Sequence, residues 1–136
     1  MDSGIMSLRF AARYLGVFAD PEEIHRHCIP RGASASKDDL LCAAKKLGLT
    51  PRLIATDWEG LQKAPLPAIA CLKDRSFLVA GRFTDGKILV QSPTRGRPQL
   101  LGPAEFNFVW TGELILLKRR ASVAQLVRSL GIRWRL

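Results

Sequence analysis

The sequence contains few of the residues that most often carry chemistry, with two histidines, three cysteines and one tyrosine among 136 residues. The odd number of cysteines cannot pair fully, and Cys28, Cys42 and Cys71 show no metal-ligand spacing, so reduced thiols in a reducing compartment are the simplest interpretation. No apolar stretch approaches the roughly 18 residues of a membrane-spanning helix, and no glycine-rich phosphate loop is visible. We therefore expect no metal, no cofactor and no ATPase site in this sequence.

The end of the chain has basic residues but no acidic ones, so most of the net positive charge lies there. The sequence has 21 basic and 12 acidic residues, which gives a net charge of +9. Residues 118–136 hold six of the basic residues and none of the acidic ones, so the rest of the chain is nearly balanced. A protein that binds nucleic acid through a broad basic surface would distribute its charge differently. We therefore expect no nucleic-acid partner.

Helical signals fill the first third of the chain. Apolar residues recur at three- and four-residue spacing from Ile5 to Leu15, which predicts a helix with one buried face that Gly16 ends. Two further helices are predicted to begin after the N-cap residues Asp20 and Ser36, and the second of these ends at Gly48.

The second half of the chain changes to the signals of strands and turns. The predicted strands cover residues 52–55, 68–72, 77–83, 88–91 and 113–118. Asp85-Gly86 is the signal of a two-residue hairpin, residues 57–62 are a loop or a helical turn, and residues 103–110 are a short helix. Helices followed by antiparallel strands predict an α+β domain, and the length predicts one domain.

Three segments carry motifs in a recognisable order. The first reads Asp2-Ser3-Gly4, then Leu8, Ala12-Arg13-Tyr14 and Gly16. The second reads Pro67-Ala68-Ile69-Ala70, then Leu72-Lys73-Asp74 and Ser76-Phe77-Leu78-Val79. The third reads Gly86-Lys87-Ile88-Leu89-Val90-Gln91-Ser92-Pro93, with Gly96 after it. From about residue 2 to residue 117 the chain thus resembles the bacteriocin-processing cysteine peptidase domain at the N-terminus of some ABC exporters.

This resemblance implies a papain-like fold, with N-terminal helices packed on an antiparallel sheet. Where the family has a catalytic cysteine, histidine and aspartate, this chain has Ser3, Ser76 and Ser92, and three hydroxyl groups supply no general base. The family also has a glutamine before its cysteine as oxyanion donor. Since this sequence begins two residues before Ser3, we expect that donor to be missing. The resemblance therefore implies a peptidase-like domain without catalytic residues and without peptidase activity.

Haemolysin-type exporters of type I secretion carry such a domain without the cysteine, and the resemblance implies the same function here. That function is to dock an unfolded, acidic, repeat-rich (RTX-type) substrate for export, beside the rest of the ABC transporter. It implies a location at the cytoplasmic side of the bacterial inner membrane. We expect the former catalytic neighbourhood, namely Ser3, Met6, Ser76 and Phe77, to hold an extended segment through hydrogen bonds and apolar contact. The alternative is that the substrate contacts another face of the domain.

Residues 119–136 are predicted to form a basic amphipathic tail that follows a peptidase-like domain of residues 1–118. Apolar residues recur at helical spacing from Val123 to Leu130, and Trp134 lies between two arginines. Such a segment is typical of a helix at a membrane surface, here on the way to a transmembrane domain. A terminal helix that docks on its own domain is the other interpretation.

Two further functions stay open from the sequence. The apolar residues within positions 37–52 are spaced as in a helix-turn-helix DNA-binding module. Such a module would need a recognition helix from Pro51 onward. A residual peptidase is the second alternative. Against it, His25 and His27 lie on the second predicted helix, far in sequence from Ser76.

Overall fold

The computed structural model describes residues 3–18, 20–28, 34–93 and 95–119, and within these ranges it contains five helices and six strands. The helices are α1 (Ser3–Tyr14), α2 (Pro21–Cys28), α3 (Lys37–Lys46), α4 (Trp58–Lys63) and α5 (Pro103–Val109). The strands are β1 (Leu49–Ala55), β2 (Ala68–Leu72), β3 (Phe77–Thr84), β4 (Lys87–Gln91), β5 (Gln99–Leu101) and β6 (Trp110–Arg119). The predicted α+β class is confirmed. Among the described helices, none combines the length and apolarity needed to cross a membrane.

The N-terminal helices begin and end where the sequence predicts. Gly16 after α1 has a φ of +78° and Gly48 after α3 has a φ of +84°, a backbone conformation that glycine adopts without a steric penalty. At the start of α3 the Asp39 amide donates to Ser36 Oγ at 3.2 Å, and the Ser36 amide donates to Asp39 Oδ2 at 2.9 Å. Asp20 Oδ1 likewise accepts a hydrogen bond of 3.0 Å from an amide in the first turn of α2.

The six strands form one antiparallel sheet in the order β1-β6-β2-β3-β4-β5. Strand β6, the last described strand, lies between β1 and β2. It therefore joins β1 to the part of the sheet that β2, β3, β4 and β5 form. The β3–β4 turn contains Asp85 with a φ of +51° and Gly86 with a φ of +75°. Positive φ at both central residues is the hairpin geometry that the Asp-Gly pair predicts.

The helix-turn-helix alternative is wrong. The chain from Pro51 to Ala55 continues β1, which pairs with β6 in the register Pro51 opposite Leu117, so the stretch where the recognition helix should begin is a strand. Strand β1 begins at Leu49, three residues before the prediction, and Pro51 is compatible with it because β1 lies at the edge of the sheet.

Three elements differ from the prediction in a smaller way. Strand β6 begins at Trp110, three residues before the predicted strand, so the preceding helix ends at Val109. Strand β5 was not predicted, because its three residues are too few to show a period. The segment predicted as a loop or a helical turn is helix α4, and Asp57 caps it by accepting a 2.9 Å hydrogen bond from the Gly60 amide. The amphipathic tail lies outside the described residues except for Arg119, where β6 ends. The division at residue 118 therefore stays a prediction.

Both faces of the sheet are covered, and the core accordingly has two clusters. On one face α1, α2 and α3 pack against side chains of the strands, among them Ile69, Cys71, Phe77, Val79, Ile115 and Leu117. On the other face α4 and α5 pack against Ala68, Ala70, Leu78, Ala80, Val90 and Leu114. Because β2 and the first half of β3 are buried on both faces, they appear in the sequence as continuous apolar runs.

Helix α5 closes the second cluster through one aromatic side chain. Phe106 is fully buried, with its ring centroid 4.9 Å from that of Trp110 and 6.0 Å from that of Trp58. Two residues later in the same helix, Phe108 is 81% exposed.

We expect Phe106→Ala to lower the free energy of unfolding by about 3–5 kcal/mol, because the truncation leaves a cavity among rigid neighbours. Phe108→Ala is the matched control and should change it by less than about 0.5 kcal/mol, since that ring is exposed. Urea unfolding followed by tryptophan fluorescence measures both. Equal losses for the two variants would contradict the two-cluster description of the core.

Candidate functional site

The start of α1 meets the start of β3. Ser3 is the first residue of α1, and its Oγ accepts a hydrogen bond of 3.2 Å from the backbone amide of Phe77, the first residue of β3. Two motifs that lie 74 residues apart in the sequence therefore come into direct contact. Met6 lies half-buried on α1, one turn after Ser3.

Ser76 belongs to a tightly bonded turn between β2 and β3. Asp74 Oδ1 accepts hydrogen bonds from both the amide and the hydroxyl of Ser76, and these two donors hold the pKa of Asp74 below its usual value. Arg75 between them has a φ of +69°, and its amide donates to the Leu72 carbonyl at 3.0 Å. The Ser76 hydroxyl is therefore engaged with a carboxylate, and the turn directs the chain from β2 back into β3.

A cleft of about 500 Å³ lies next to this turn, between the segment that leads into α3 and the ends of β2, β3 and β6. It is lined by Ser76, Phe77 and Arg75 from the turn, by Ser34, Ala35, Ser36 and Lys37 before and in α3, and by Cys71, Leu72, Lys73, Thr111 and Glu113 from the strands. Of the four expected binding residues, Ser76 and Phe77 line this cleft. Neither Ser3 nor Met6 is among the described lining residues, although Ser3 accepts a hydrogen bond from the amide of Phe77, which is.

Positive charge exceeds negative charge in the cleft. The described lining contains three cations, Lys37, Lys73 and Arg75, and one carboxylate, Glu113. Lys37 Nζ bonds both carboxylate oxygens of Glu113, at 2.8 and 3.0 Å, which raises the pKa of Lys37. Lys73 Nζ donates to the backbone carbonyl of Asn107 at 3.2 Å. Arg75 projects from the turn and is exposed.

Two hydrogen bonds donated by β6 side chains fix the backbone at Cys71 and Glu113, two of the residues that line the cleft. Thr111 Oγ1 donates to the Cys71 carbonyl at 2.8 Å, and Trp110 Nε1 donates to the Glu113 carbonyl at 2.9 Å. The Cys71 side chain is 4% exposed. Burial, followed by the nearby Glu113 carboxylate, raises the pKa of its thiol to about 11. A protonated thiol is a poor nucleophile.

Ser76 also lines a second groove of about 440 Å³, together with Ser92. The side-chain amide of Gln91, the residue before Ser92, donates a hydrogen bond of 3.1 Å to the Arg95 carbonyl. This bond links the end of β4 to the chain that follows Ser92. Phe108 on α5 and Leu101 on β5 give this groove an apolar side. The structure thus brings Ser76 and Ser92 to one groove. Ser3 instead contacts the backbone amide of Phe77, the residue after Ser76.

The chemistry available at these positions is hydrogen bonding and charge. The described residues that line the two grooves include serines, cations and carboxylates but no histidine, and His25 and His27 both belong to α2. Within the described ranges, no group of three or more His, Cys, Asp or Glu side chains is placed to hold a metal ion. The sequence did not predict the contribution of Lys37, Arg75 and Glu113, because no local pattern relates positions so far apart.

Helices packed on an antiparallel sheet, with a cleft beside the start of the first helix, define a papain-like domain. In agreement with this, the structure matches the N-terminal peptidase C39-like domain of the toxin secretion ATP-binding protein from Vibrio parahaemolyticus with a TM-score of 0.78 and 23% identity, over 88% of this chain and 98% of that chain. A model of the Peptidase C39 family matches residues 1–122. The chain belongs to the Peptidase C39 family, and both the resemblance and the fold expected from the sequence are confirmed.

Curated relatives of the chain include much longer proteins. The cyclolysin secretion/processing ATP-binding protein CyaB of Bordetella pertussis is 38% identical over 136 residues, which cover 98% of this chain and 19% of that protein. The leukotoxin translocation ATP-binding protein LktB of Mannheimia haemolytica is 30% identical over 135 residues, with coverage of 98% and 19%. The chain therefore spans about a fifth of the length of the curated relatives that it matches.

The raised pKa of Cys71 predicts a pH dependence of stability. Its folded pKa of about 11 lies above the ordinary value of 9.0, so its contribution to the free energy of unfolding is complete below pH 9 and is lost as the pH rises to about 11. We expect the stability of the wild type relative to Cys71→Ala to fall across this window in urea unfolding. A difference that stays constant with pH would contradict the neutral, buried thiol.

Proposed function

We propose that the chain is the catalytically inactive, peptidase-like domain of a type I secretion ABC transporter, and that it docks an unfolded RTX-type substrate for export. The observation that carries the proposal is a net positive cleft, lined by serine where the family resemblance expects a catalytic histidine. The relatives support the transporter context, because their names describe secretion of cyclolysin and translocation of leukotoxin. The rest of the transporter is then the second partner of the domain.

Inactivity follows from the side chains at the expected triad positions. Peptide cleavage needs a nucleophile, a general base that takes its proton, and a group that orients the base. Ser3 accepts a hydrogen bond from the Phe77 amide, and Ser76 donates its hydroxyl hydrogen to Asp74. Neither contact gives Ser3 a base at neutral pH, and an unassisted serine hydroxyl is a weak nucleophile.

We predict that the wild-type domain leaves double-glycine leader peptides intact and reacts at none of the three serines with peptidase inhibitors. Mass spectrometry of the peptide after prolonged incubation measures this, with an active family member as positive control. Ser3→Ala is the matched variant and should behave as the wild type does. Site-specific cleavage that Ser3→Ala abolishes would show that the domain is a peptidase.

Docking in the cleft follows from its shape and charge. An unfolded segment can donate and accept backbone hydrogen bonds. Ser76 Oγ lines the cleft beside Phe77, and although it donates its hydrogen to Asp74 it can still accept a hydrogen bond from such a segment. Repeat-rich RTX substrates are acidic and remain disordered until they bind calcium outside the cell. Their carboxylates complement Lys73 and Arg75, and this complementarity accelerates encounter and orients the segment.

We predict that an aspartate-rich repeat peptide of this class binds the domain in chelator with a dissociation constant on the order of micromolar, because ordering the chain offsets part of the contact energy. The calcium-folded form should bind more weakly, and salt should weaken binding of the unfolded form. Arg75→Glu should reduce affinity about 5- to 10-fold, since it reverses a charge at the cleft. Fluorescence anisotropy with labelled peptide measures each case.

Arg52→Glu is the control for this charge reversal, because Arg52 is exposed on β1 and does not line the cleft. It should bind as the wild type does, apart from the small effect of net charge. Equal affinity for folded and unfolded peptide, or no binding of either, would overturn docking. An equal effect of both arginine variants would show that the effect of Arg75→Glu comes from net charge, which would contradict docking in the cleft.

The location of the domain follows from the same proposal. As part of an exporter it would lie on the cytoplasmic side of the bacterial inner membrane, where the unfolded substrate is present. The basic, amphipathic residues after Arg119 would then run along the membrane surface toward the transmembrane domain.

A further inference from the structure

Two cysteines on neighbouring helices face each other at close range. Cys28 is the last residue of α2 and Cys42 lies in the middle of α3, and their sulfur atoms are 3.4 Å apart. Cys42 is exposed and Cys28 is partly buried. The docking proposal uses neither thiol, and the third cysteine, Cys71, lies under the cleft with 4% exposure.

Cys28 and Cys42 lie in the sequence before and after the segment that forms one wall of the cleft. The chain leaves α2 at Cys28 and enters α3 at Lys37, and residues Ser34–Lys37 line the cleft. A covalent link between positions 28 and 42 would close a loop that contains this wall. Such a link would restrict the wall, because loop closure removes conformational freedom from the enclosed chain.

We propose that Cys28 and Cys42 form a redox-active dithiol, a modification site that small disulfides such as glutathione disulfide oxidise to an intramolecular disulfide that restrains the cleft wall. The sulfur atoms must approach by roughly 1.4 Å to reach the disulfide bond length of about 2.0 Å. Cys42 is exposed, so its side chain is the one that must rotate to close this gap.

The oxidation proceeds as two thiol–disulfide exchanges. The Cys42 thiolate attacks one sulfur of glutathione disulfide, the sulfur–sulfur bond of that molecule breaks, and one glutathione leaves. Cys28 then loses its proton to solvent and attacks the Cys42 sulfur, which releases the second glutathione. The two cysteines together lose two electrons and two protons, and glutathione disulfide is reduced to two glutathione molecules.

The environment of the two thiols sets the order of these steps. Burial, followed by the hydrogen bond from Cys42, raises the pKa of Cys28, and Cys28 is partly buried whereas Cys42 is exposed. The exposed Cys42 therefore meets the oxidant first, and Cys28 acts from 3.4 Å away as the resolving thiol.

The test treats the purified domain with mixtures of reduced and oxidised glutathione, blocks free thiols by alkylation and maps the peptides by mass spectrometry. We expect one product that has lost two hydrogens, in which a peptide containing Cys28 is linked to a peptide containing Cys42, while Cys71 is alkylated only after unfolding. Cys71→Ser should give the same product. Cys28→Ser should stop at the mixed disulfide of glutathione with Cys42.

A stable glutathione adduct on wild-type Cys42, or linkage only between two molecules, would overturn the proposal, as would thiols that stay reduced in pure glutathione disulfide. Hydrogen exchange tests the effect on the cleft wall. The amides of residues 34–37 should exchange more slowly in the oxidised than in the reduced wild type, and unchanged exchange would refute the restraint. Neither measurement uses a secretion substrate, so its outcome is independent of the docking proposal.

Discussion

Burial of the central strands on both faces is the constraint on which the rest of the structure depends. Strands β2, β3 and β6 have one row of side chains under the N-terminal helices and the other under α4 and α5. The chain must therefore supply helices for both faces, and it does so with helices before β1 and after β1 and β5. Loss of either layer would expose apolar strand surface, at a cost of about 25 cal/mol for each Å².

The cleft lies where the N-terminal helical layer meets the ends of strands β2, β3 and β6. The β2–β3 turn is held by the Asp74 carboxylate, the start of α1 rests on the Phe77 amide, and Lys37 of α3 reaches Glu113 of β6. These contacts join helix, turn and sheet. In the account proposed here, the architecture of a peptidase is retained while its serines and cations bind a chain.

Local signals in the sequence predict the elements well. The capping box at Ser36, the glycines at positions 16 and 48 and the Asp-Gly hairpin all act within a few residues, so their physical causes can be read from the sequence. The cleft depends instead on pairs such as Lys37 with Glu113, which lie 76 positions apart and meet only through the sheet order. The resemblance singled out Ser76 and Phe77, which line the cleft, whereas the cations around them could be found only in the structure.

The most direct test of the central claim is a map of amide chemical shifts in the isotopically labelled domain, titrated with a calcium-free, aspartate-rich repeat peptide. If the cleft holds the unfolded segment, the largest shifts will lie at residues 34–37, at 75–77 and around Thr111. Shifts confined to other surfaces, with these amides unchanged at saturation, would contradict the account.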